Sequence, residues 1–365
     1  MSFEISNTRL KQLRQKMRVA NVGLLALGPA EHMQWLLGFH PHADERPCLL
    51  LITADSEAFL MPSLNAEGSR DHTDIKFFKW SDDEGPAQAL TAMLSELNLT
   101  DVAKIAVDET MRADFALLLL GQLPNTEHQF TSDTLGILRM KKDQTDYVSL
   151  KENALICDGA MQAGFEAIKI GVSETDIQAV IKDYFAAHHA PMLFGIVGIG
   201  SNGAFPHHQT GERLVQDGDV VLIDIGGKKG IFPSDMTRMA IVNEAPEDYH
   251  KIHAIVEAAV CAALKAAKPG VRAAEVDAAA REVIELAGYG EYFVHRTGHG
   301  LGLELHEPPY ITATSETILE AGMVFSIEPG IYLPGKFGIR LEEIVILRED
   351  GPEILSELSR KVRVV

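Results

Sequence analysis

Residues 160–169, AMQAGFEAIK, and residues 259–268, AVCAALKAAK, are one amphipathic segment written twice, 99 positions apart. The offset persists beyond them. Gly171-Val172 answers Gly270-Val271, and a second helical stretch repeats through Ile177/Val276, Ala179/Ala278, Lys182/Arg281 and Asp183/Glu282. Phe194 then meets Phe293, and His207 meets His306, at the same spacing. Farther on the offset grows to 104, where Gly218-Asp-Val-Val-Leu-Ile-Asp224-Ile-Gly226 matches Gly322-Met-Val-Phe-Ser-Ile-Glu328-Pro-Gly330. Loop-length changes between copies are ordinary. Two amphipathic helices resemble each other easily by chance. A shared Gly-Val turn, a shared histidine and a shared strand ending in an acid, all in one order, mark an internal duplication. The expected architecture is an α+β domain with a pseudo-two-fold axis, on which equivalent residues of the halves converge.

Upstream of the repeat, Val22–Leu27, Cys48–Ala54, Ala58–Met61, Ile75–Trp80 and Ile105–Asp108 read as strands between polar or Gly/Pro turns. Arg9–Arg18, Ala87–Leu97 and Arg112–Leu120 carry apolar residues at helical spacing. This is a separate α/β module with a mainly buried sheet. It offers little chemistry, and His40 and His42, flanking Pro41, read as solvated loop residues. The charged stretch Arg139-Met-Lys-Lys-Asp-Gln-Thr-Asp146 leads into a long helix. The expected domains are 1–138 and 139–365, in keeping with roughly 150 residues per domain for a chain of 365.

Apolar residues make up 46% and charged residues 23%, which excludes disordered and fibrous classes. With 33 basic and 52 acidic residues the net charge is 33 − 52 = −19. Such a balance opposes binding to nucleic acid or an anionic membrane, and suits neutral or cationic small molecules. Cys48, Cys157 and Cys261 are scattered and odd in number, offering neither a disulfide framework nor a zinc ribbon. The N-terminus lacks signal-peptide order, and no apolar run reaches the ~18 residues of a membrane span. A cytoplasmic location is the expectation.

The chemistry gathers on two strand pairs. Val220–Gly226 and Ser234–Val242 present Asp224 and Asp235 in apolar settings; Met323–Tyr332 and Gly338–Leu347 repeat the pattern with Glu328 and with Glu342 or Glu343. A buried carboxylate is paired, protonated or metal-bound, because an isolated one is costly. Strand alternation sets Glu342 on the face of Arg340 and Glu343 on the other, which favours Glu342 as the inward acid. If the halves pack symmetrically, Asp224, Asp235, Glu328 and Glu342 meet. Two like charges about 4 Å apart repel by roughly 4 kcal/mol at an effective dielectric of 20. Four bare anions are untenable, whereas two divalent cations supply four positive charges. The plainer reading is a set of strand-end ion pairs with Arg238 and Arg340.

Val294-His295-Arg-Thr-Gly-His299-Gly-Leu-Gly-Leu-Glu-Leu-His306-Glu307 adds three histidines within twelve residues. Its glycines favour an extended strand or loop over a helix. His207, the duplicate of His306, is expected to face the same cavity from the other half. Gly198-Ile-Gly200-Ser-Asn-Gly203 fits a dinucleotide fingerprint, but Pro206 follows at once and no helix pattern opens there.

With these residues in view the chain resembles the pita-bread metallopeptidases, specifically the Xaa-Pro dipeptidase (prolidase) and Xaa-Pro aminopeptidase branch. The likeness spans the chain, from a creatinase-like N-terminal domain with the loop Trp35-Leu-Leu-Gly-Phe39 to the duplicated catalytic domain. It implies metal ligands at Asp224, Asp235, His299, Glu328 and Glu342, in the contexts Asp224-Ile-Gly, Ser234-Asp235-Met-Thr-Arg238, Thr297-Gly-His299-Gly-Leu-Gly, Glu328-Pro-Gly-Ile-Tyr332 and Arg340-Leu-Glu342-Glu343. It further implies His207, His295 and His306 as substrate-side histidines, with His295 and His306 stabilising the oxyanion. Glu328 becomes the proton carrier and Arg340 a supporting partner. Phe232 stands where the family prefers tyrosine. The implied cofactor is a pair of divalent ions, Mn2+ or Co2+ first, Zn2+ or Fe2+ as alternatives. A hydroxide bridging them would attack the bond before proline in a small peptide. A homodimer is the family expectation. Two alternatives stand beside this: a same-scaffold hydrolase or lyase for a small metabolite, and a metal-retaining binding protein.

Overall fold

Leu24 and Ala26 face one apolar layer while Leu25 and Leu27 face another, a pattern stable only in a sheet covered on both sides. In the computed structural model, which describes residues 3–99 and 101–365, that sheet is the centre of the first of two units, Met1–Arg139 and Met140–Val365. Its strands are β1 (Leu24–Leu27), β2 (Leu49–Ile52), β3 (Glu57–Pro62), β4 (Lys76–Trp80), β5 (Lys104–Val107) and β6 (Glu127–Phe130), in the order β4-β3-β2-β1-β5-β6. Helices α1 (Phe3–Val19), α2 (Glu31–Leu37), α3 (Ser63–Arg70), α4 (Ala87–Glu96), α5 (Ala113–Gly121) and α6 (Leu135–Arg139) cover it. Leu13, Met33 and Leu135 fill one side, and Leu90, Met93 and Phe115 the other. Helices α2, α3 and α6 and strand β6 go beyond the sequence expectation, and α2 takes in Trp35-Leu36-Leu37, expected as loop. The helices among these are short, and β6 is a largely exposed polar edge without alternation.

The second unit shows the duplication in three dimensions. Helices α7 (Gln144–Ala167) and α8 (Glu174–Ala187) correspond to α9 (Tyr249–Ala266) and α10 (Ala273–Leu286). After each first helix comes the Gly-Val turn. Gly171 and Gly270 hold φ of 88° and 89°, and their N–H groups donate to Val215 and Leu319 respectively. Positive φ there disfavours any side chain. The bridges Ser173–Leu214 and Arg272–Ile318 repeat the same tie.

The first half builds the sheet from β7 (Met192–Ile199), β8 (Val220–Lys229), β9 (Phe232–Pro233) and β10 (Met236–Ile241), edged by C-terminal β18 (Arg363–Val364). The second builds β12-β11-β13-β16-β17 from β11 (Gly298–Gly300), β12 (Glu307–Ile311), β13 (Val324–Ile327), β16 (Glu343–Arg348) and β17 (Gly351–Ile354). A hairpin, β14 (Gly330–Leu333) with β15 (Phe337–Arg340), stands apart.

Two strands read as continuous are interrupted, and the strand expected from Ser234 starts only at Met236. Glu328-Pro329 separates β13 from β14, Leu341-Glu342 separates β15 from β16, and Asp235 lies between β9 and β10. The proline at 329 has no N–H to give a ladder, and each break lets an acid turn out of the sheet. The glycine stretch 198–203 enters a 3-10 turn, Gly200–Ala204, not an α-helix. All three cysteines are free, and no described helix is long and apolar enough to cross a membrane.

Close packing is severe at β11, where a Cβ built on Gly298 would lie 1.9 Å from the Ser326 carbonyl oxygen. Gly298→Ala is therefore expected to cost about 3 kcal/mol or more in denaturant unfolding. Gly171→Ala, strained but with open space around it, is expected to cost about 1–2 kcal/mol. Equal losses would refute this ranking.

Candidate metal centre

Asp224 sits inside β8 opposite Thr237 of β10, while Asp235, Glu328 and Glu342 occupy the strand breaks and His299 the middle of β11. Backbone bonds draw the breaks together, Glu328 N–H donating to Thr297 at 2.8 Å and Glu342 N–H to Thr237 at 3.4 Å. Ligand atoms of Asp224, Asp235 and Glu342 all lie within 4.8 Å of one another, and so do those of His299, Glu328 and Glu342. Glu342 belongs to both triads. The five residues the resemblance implied therefore occupy one place, as two overlapping groups.

Their polar atoms are unfinished without a cation. Asp224 Oδ1 and Glu342 Oε1 are buried with no hydrogen-bond partner, although such groups are normally paired. His299 Nδ1 faces the Gly300 carbonyl at 3.1 Å; a carbonyl only accepts, so this nitrogen carries the proton. The ring thereby aims Nε2 at Glu328 Oε1, 3.2 Å away, and Asp235 Oδ2, 3.5 Å away. A lone pair against two carboxylates requires a proton or a cation between them. One imidazole and four carboxylates suit divalent ions of hard to borderline character, so the residues fit the implied metal pair.

The charges respond accordingly. Burial pushes the Asp235 and Glu342 carboxyls well above the usual carboxylate range, with mutual repulsion adding to it. Asp224 is also raised by burial, despite the Arg340 guanidinium 2.5 Å from its Oδ2. Glu328 goes the other way. Burial would raise it, but the hydrogen bond and charge of His299 outweigh that and hold it at about 2.

Around the acids runs a supporting network. Thr237 Oγ1 donates to Glu342 Oε2 (2.8 Å) and accepts from Arg340 Nε (3.0 Å). Ser326 Oγ accepts from His299 N–H and donates to Glu328 Oε1, both at 2.9 Å. Arg340 also donates to the Tyr332 hydroxyl (2.8 Å), which lies 2.8 Å from His295 Nε2. The His295 Nδ1–H donates to the Arg296 carbonyl (2.7 Å), and burial lowers the pKa of this ring. His295 is thus neutral, with Nε2 accepting from Tyr332. Its ring N–H is engaged by the Arg296 carbonyl.

His306 packs edge-on to His299, ring centroids 4.1 Å apart. Partial burial first, then repulsion from the neighbouring His299 and Arg296, push it down to about 4. His207 lies on the same side, near enough to contribute to that lowering, and both residues keep substantial solvent exposure. Glu343 turns away, bound to Arg238 at 3.0 Å and Arg360 at 2.9 Å. Glu342 and Glu343 therefore face opposite sides even though the strand is broken between Arg340 and Glu343.

Several residues in this network were not given roles from sequence. Asp277 of α10 accepts from Thr297 N–H and Oγ1–H, at 3.0 and 2.8 Å, and pairs with Arg281. Lys142, within what reads as a charged linker, forms a buried pair with Glu307 at 2.7 Å. Glu307 follows His306 directly. Their partners lie 20 and 165 positions away, so no local pattern marks them. In the N-terminal unit, His32, Asp108 and Glu109 also cluster. There His32 Nδ1 accepts from Arg139 at 2.9 Å, leaving Nε2 to donate to Thr131 Oγ1 and the acids: a hydrogen-bond network, not a ligand set.

Residues 149–349 match metallopeptidase family M24, and residues 9–141 match the creatinase/prolidase N-terminal domain. A probable dipeptidase PepE of Mycobacterium tuberculosis is 37% identical over 95% of this chain and 93% of its own length. A Xaa-Pro dipeptidase of Lactobacillus delbrueckii subsp. lactis is 33% identical over 91% of this chain and 92% of its own. The crystal structure of dipeptidase PepE from Mycobacterium ulcerans superposes with a TM-score of 0.95 at 33% identity, covering 100% of this chain and 99% of that one. The chain belongs to the M24 metallopeptidases, with a creatinase-like N-terminal domain ahead of the pita-bread domain.

Asp224, Asp235 and Glu342 are held protonated above the pH at which an unfolded chain releases them, ordinarily about 4. The folded, metal-stripped chain therefore binds more protons than the unfolded one, and its stability falls as pH rises through the raised values. Glu328 contributes oppositely, its share lost only on strong acidification. Chelated protein is expected to unfold at lower denaturant at about pH 8 than at about pH 5, and added Mn2+ to flatten the difference. A flat profile before metal addition would count against the clustered charge.

Proposed function

We propose that this enzyme hydrolyses the peptide bond preceding proline in dipeptides, using a pair of Mn2+ or Co2+ ions held by Asp224, Asp235, His299, Glu328 and Glu342. The observation that carries the reading is the doubled acid cluster around Glu342, with buried carboxylate oxygens left unpartnered. The Xaa-Pro dipeptidase named among its relatives supports the substrate class. When bound, such ions would lower the pKa of an attacking water and polarise the scissile carbonyl.

The chain's own residues do the rest. Glu328, kept ionised beside His299 and Ser326, takes the proton of the attacking water. It returns that proton to the imino nitrogen of proline as the C–N bond breaks. His306, uncharged at neutral pH, gives an N–H to the carbonyl oxygen as negative charge grows there, a contribution of about 3 kcal/mol in a site of this kind. His207 meets the substrate from the first half of the duplication. His295, tied through Tyr332 to Arg340 and so to Asp224, orients its side of the cleft. The Xaa-Pro bond is a tertiary amide without N–H, so selection needs no acceptor for that nitrogen. An acidic surround favours the free amino group.

With Mn2+ or Co2+ restored, the protein is expected to cleave Ala-Pro, followed by release of free proline. Glu328→Gln is expected to lower kcat by about 100-fold or more, and His306→Ala by about 100-fold. Each variant's metal content should be measured alongside. Well-metallated protein that ignores every Xaa-Pro peptide but turns over a small metabolite would overturn the proposal. So would biological activity unchanged in both variants.

A further inference from the structure

We propose that Glu174 is a positioning residue for His207, holding the loop that carries it through a buried carboxylate cage. The inference rests on the reading of His207 as a substrate-side residue. Glu174 opens α8, and its side chain is fully buried. Capping does not require it, because Ser173 and Asp176 already form the capping box. Its oxygens are used elsewhere. Oε1 accepts from Ile199 N–H at 2.9 Å and Asn202 Nδ2–H at 2.8 Å. Oε2 accepts from Gly211 N–H and from His208 Nε2, both at 2.9 Å.

Those four donors span residues 199–211, the segment containing Phe205-Pro206-His207-His208. One acceptor-only group thus closes both ends and the middle of the loop. Two donors are main-chain N–H groups that cannot reverse. A carboxamide would have to point its NH2 at one of them in either orientation. Burying a carboxylate is costly unless it is fully bonded, and here every bond is spent on the histidine loop.

The other half of the duplication solves the same problem with a different residue. Position 273, the counterpart of Glu174, is alanine. One turn further along α10, Asp277 grips Thr297, between His295 and His299. In each half the second helix therefore holds a buried acid against a histidine-bearing segment.

The test is a double-mutant cycle on the Mn2+-loaded enzyme with Ala-Pro, combined with hydrogen exchange of residues 199–211. Glu174→Gln is expected to lower kcat between about 10- and 100-fold, at unchanged metal content, and to speed exchange in that segment. In a His207→Ala background the same change is expected to cost less than about 3-fold, since the residues act as one unit. His208→Gln, which keeps one N–H for Oε2, is expected to show a milder loss and serves if Glu174→Gln does not fold. Additive losses in the cycle, or exchange unaltered by either variant, would overturn the proposal. Wild-type protein inactive on Ala-Pro would sink the peptidase reading instead, and the exchange measurement alone would then decide whether the cage holds the loop.

Discussion

Repulsion among buried carboxylates is the constraint around which the second unit is organised. Asp224, Asp235 and Glu342 are pushed toward their neutral forms by burial and by neighbouring carboxylates, Glu328 among them, and Arg340 is the guanidinium bonded into the group. One cation cannot balance four acids at these separations. A fold that tolerates such a cluster has to meet its remaining charge from outside the chain. That need accounts for the buried oxygens of Asp224 and Glu342 that have no hydrogen-bond partner.

The same constraint shapes the backbone. An acid in the middle of a ladder strand faces whichever side the pleat dictates, whereas an acid at a break turns freely. Three of the four acids sit at breaks, and only Asp224 is inside a strand, where Arg340 meets it. Thr237 then links the halves, its hydroxyl accepting a hydrogen bond from Arg340 and donating one to Glu342. Arg238 does parallel work on the far side, bonding both the Glu342 carbonyl and the Glu343 carboxylate. The acids are held by a hydrogen-bonded framework that orients the ligand side chains before any ion arrives.

The histidines need equal restraint, since they lie on glycine-rich or loop segments. Glu174, Asp277 and the Lys142–Glu307 pair each anchor one such segment from beneath. None belongs to a recognisable motif. Glu174 and Asp277 are ordinary surface-type residues at a helix start, and Lys142 lies in a charged run. Their burial depends on neighbours far away in the chain, so composition and periodicity are silent about them. His295 shows the converse. Its presence near the site is plain from clustering, but the direction of its ring protons depends on Arg296 and Tyr332, and that changes what it can do.

The order of amino acids by itself determined the duplication, the two kinds of domain and the residue types of the ligand cluster. Each of these rests on a short-range regularity: a repeat at constant offset, a 3.6- or two-residue period, or an acid in an apolar run. Tertiary structure alone decided where strands stop, which helices and edge strands of the N-terminal unit form, and which nitrogen of each histidine carries a proton. It also decided which buried acids are structural anchors. These depend on pairings across 20 to 165 positions, where a carboxylate's meaning is set by the donors that surround it, and no local pattern records them.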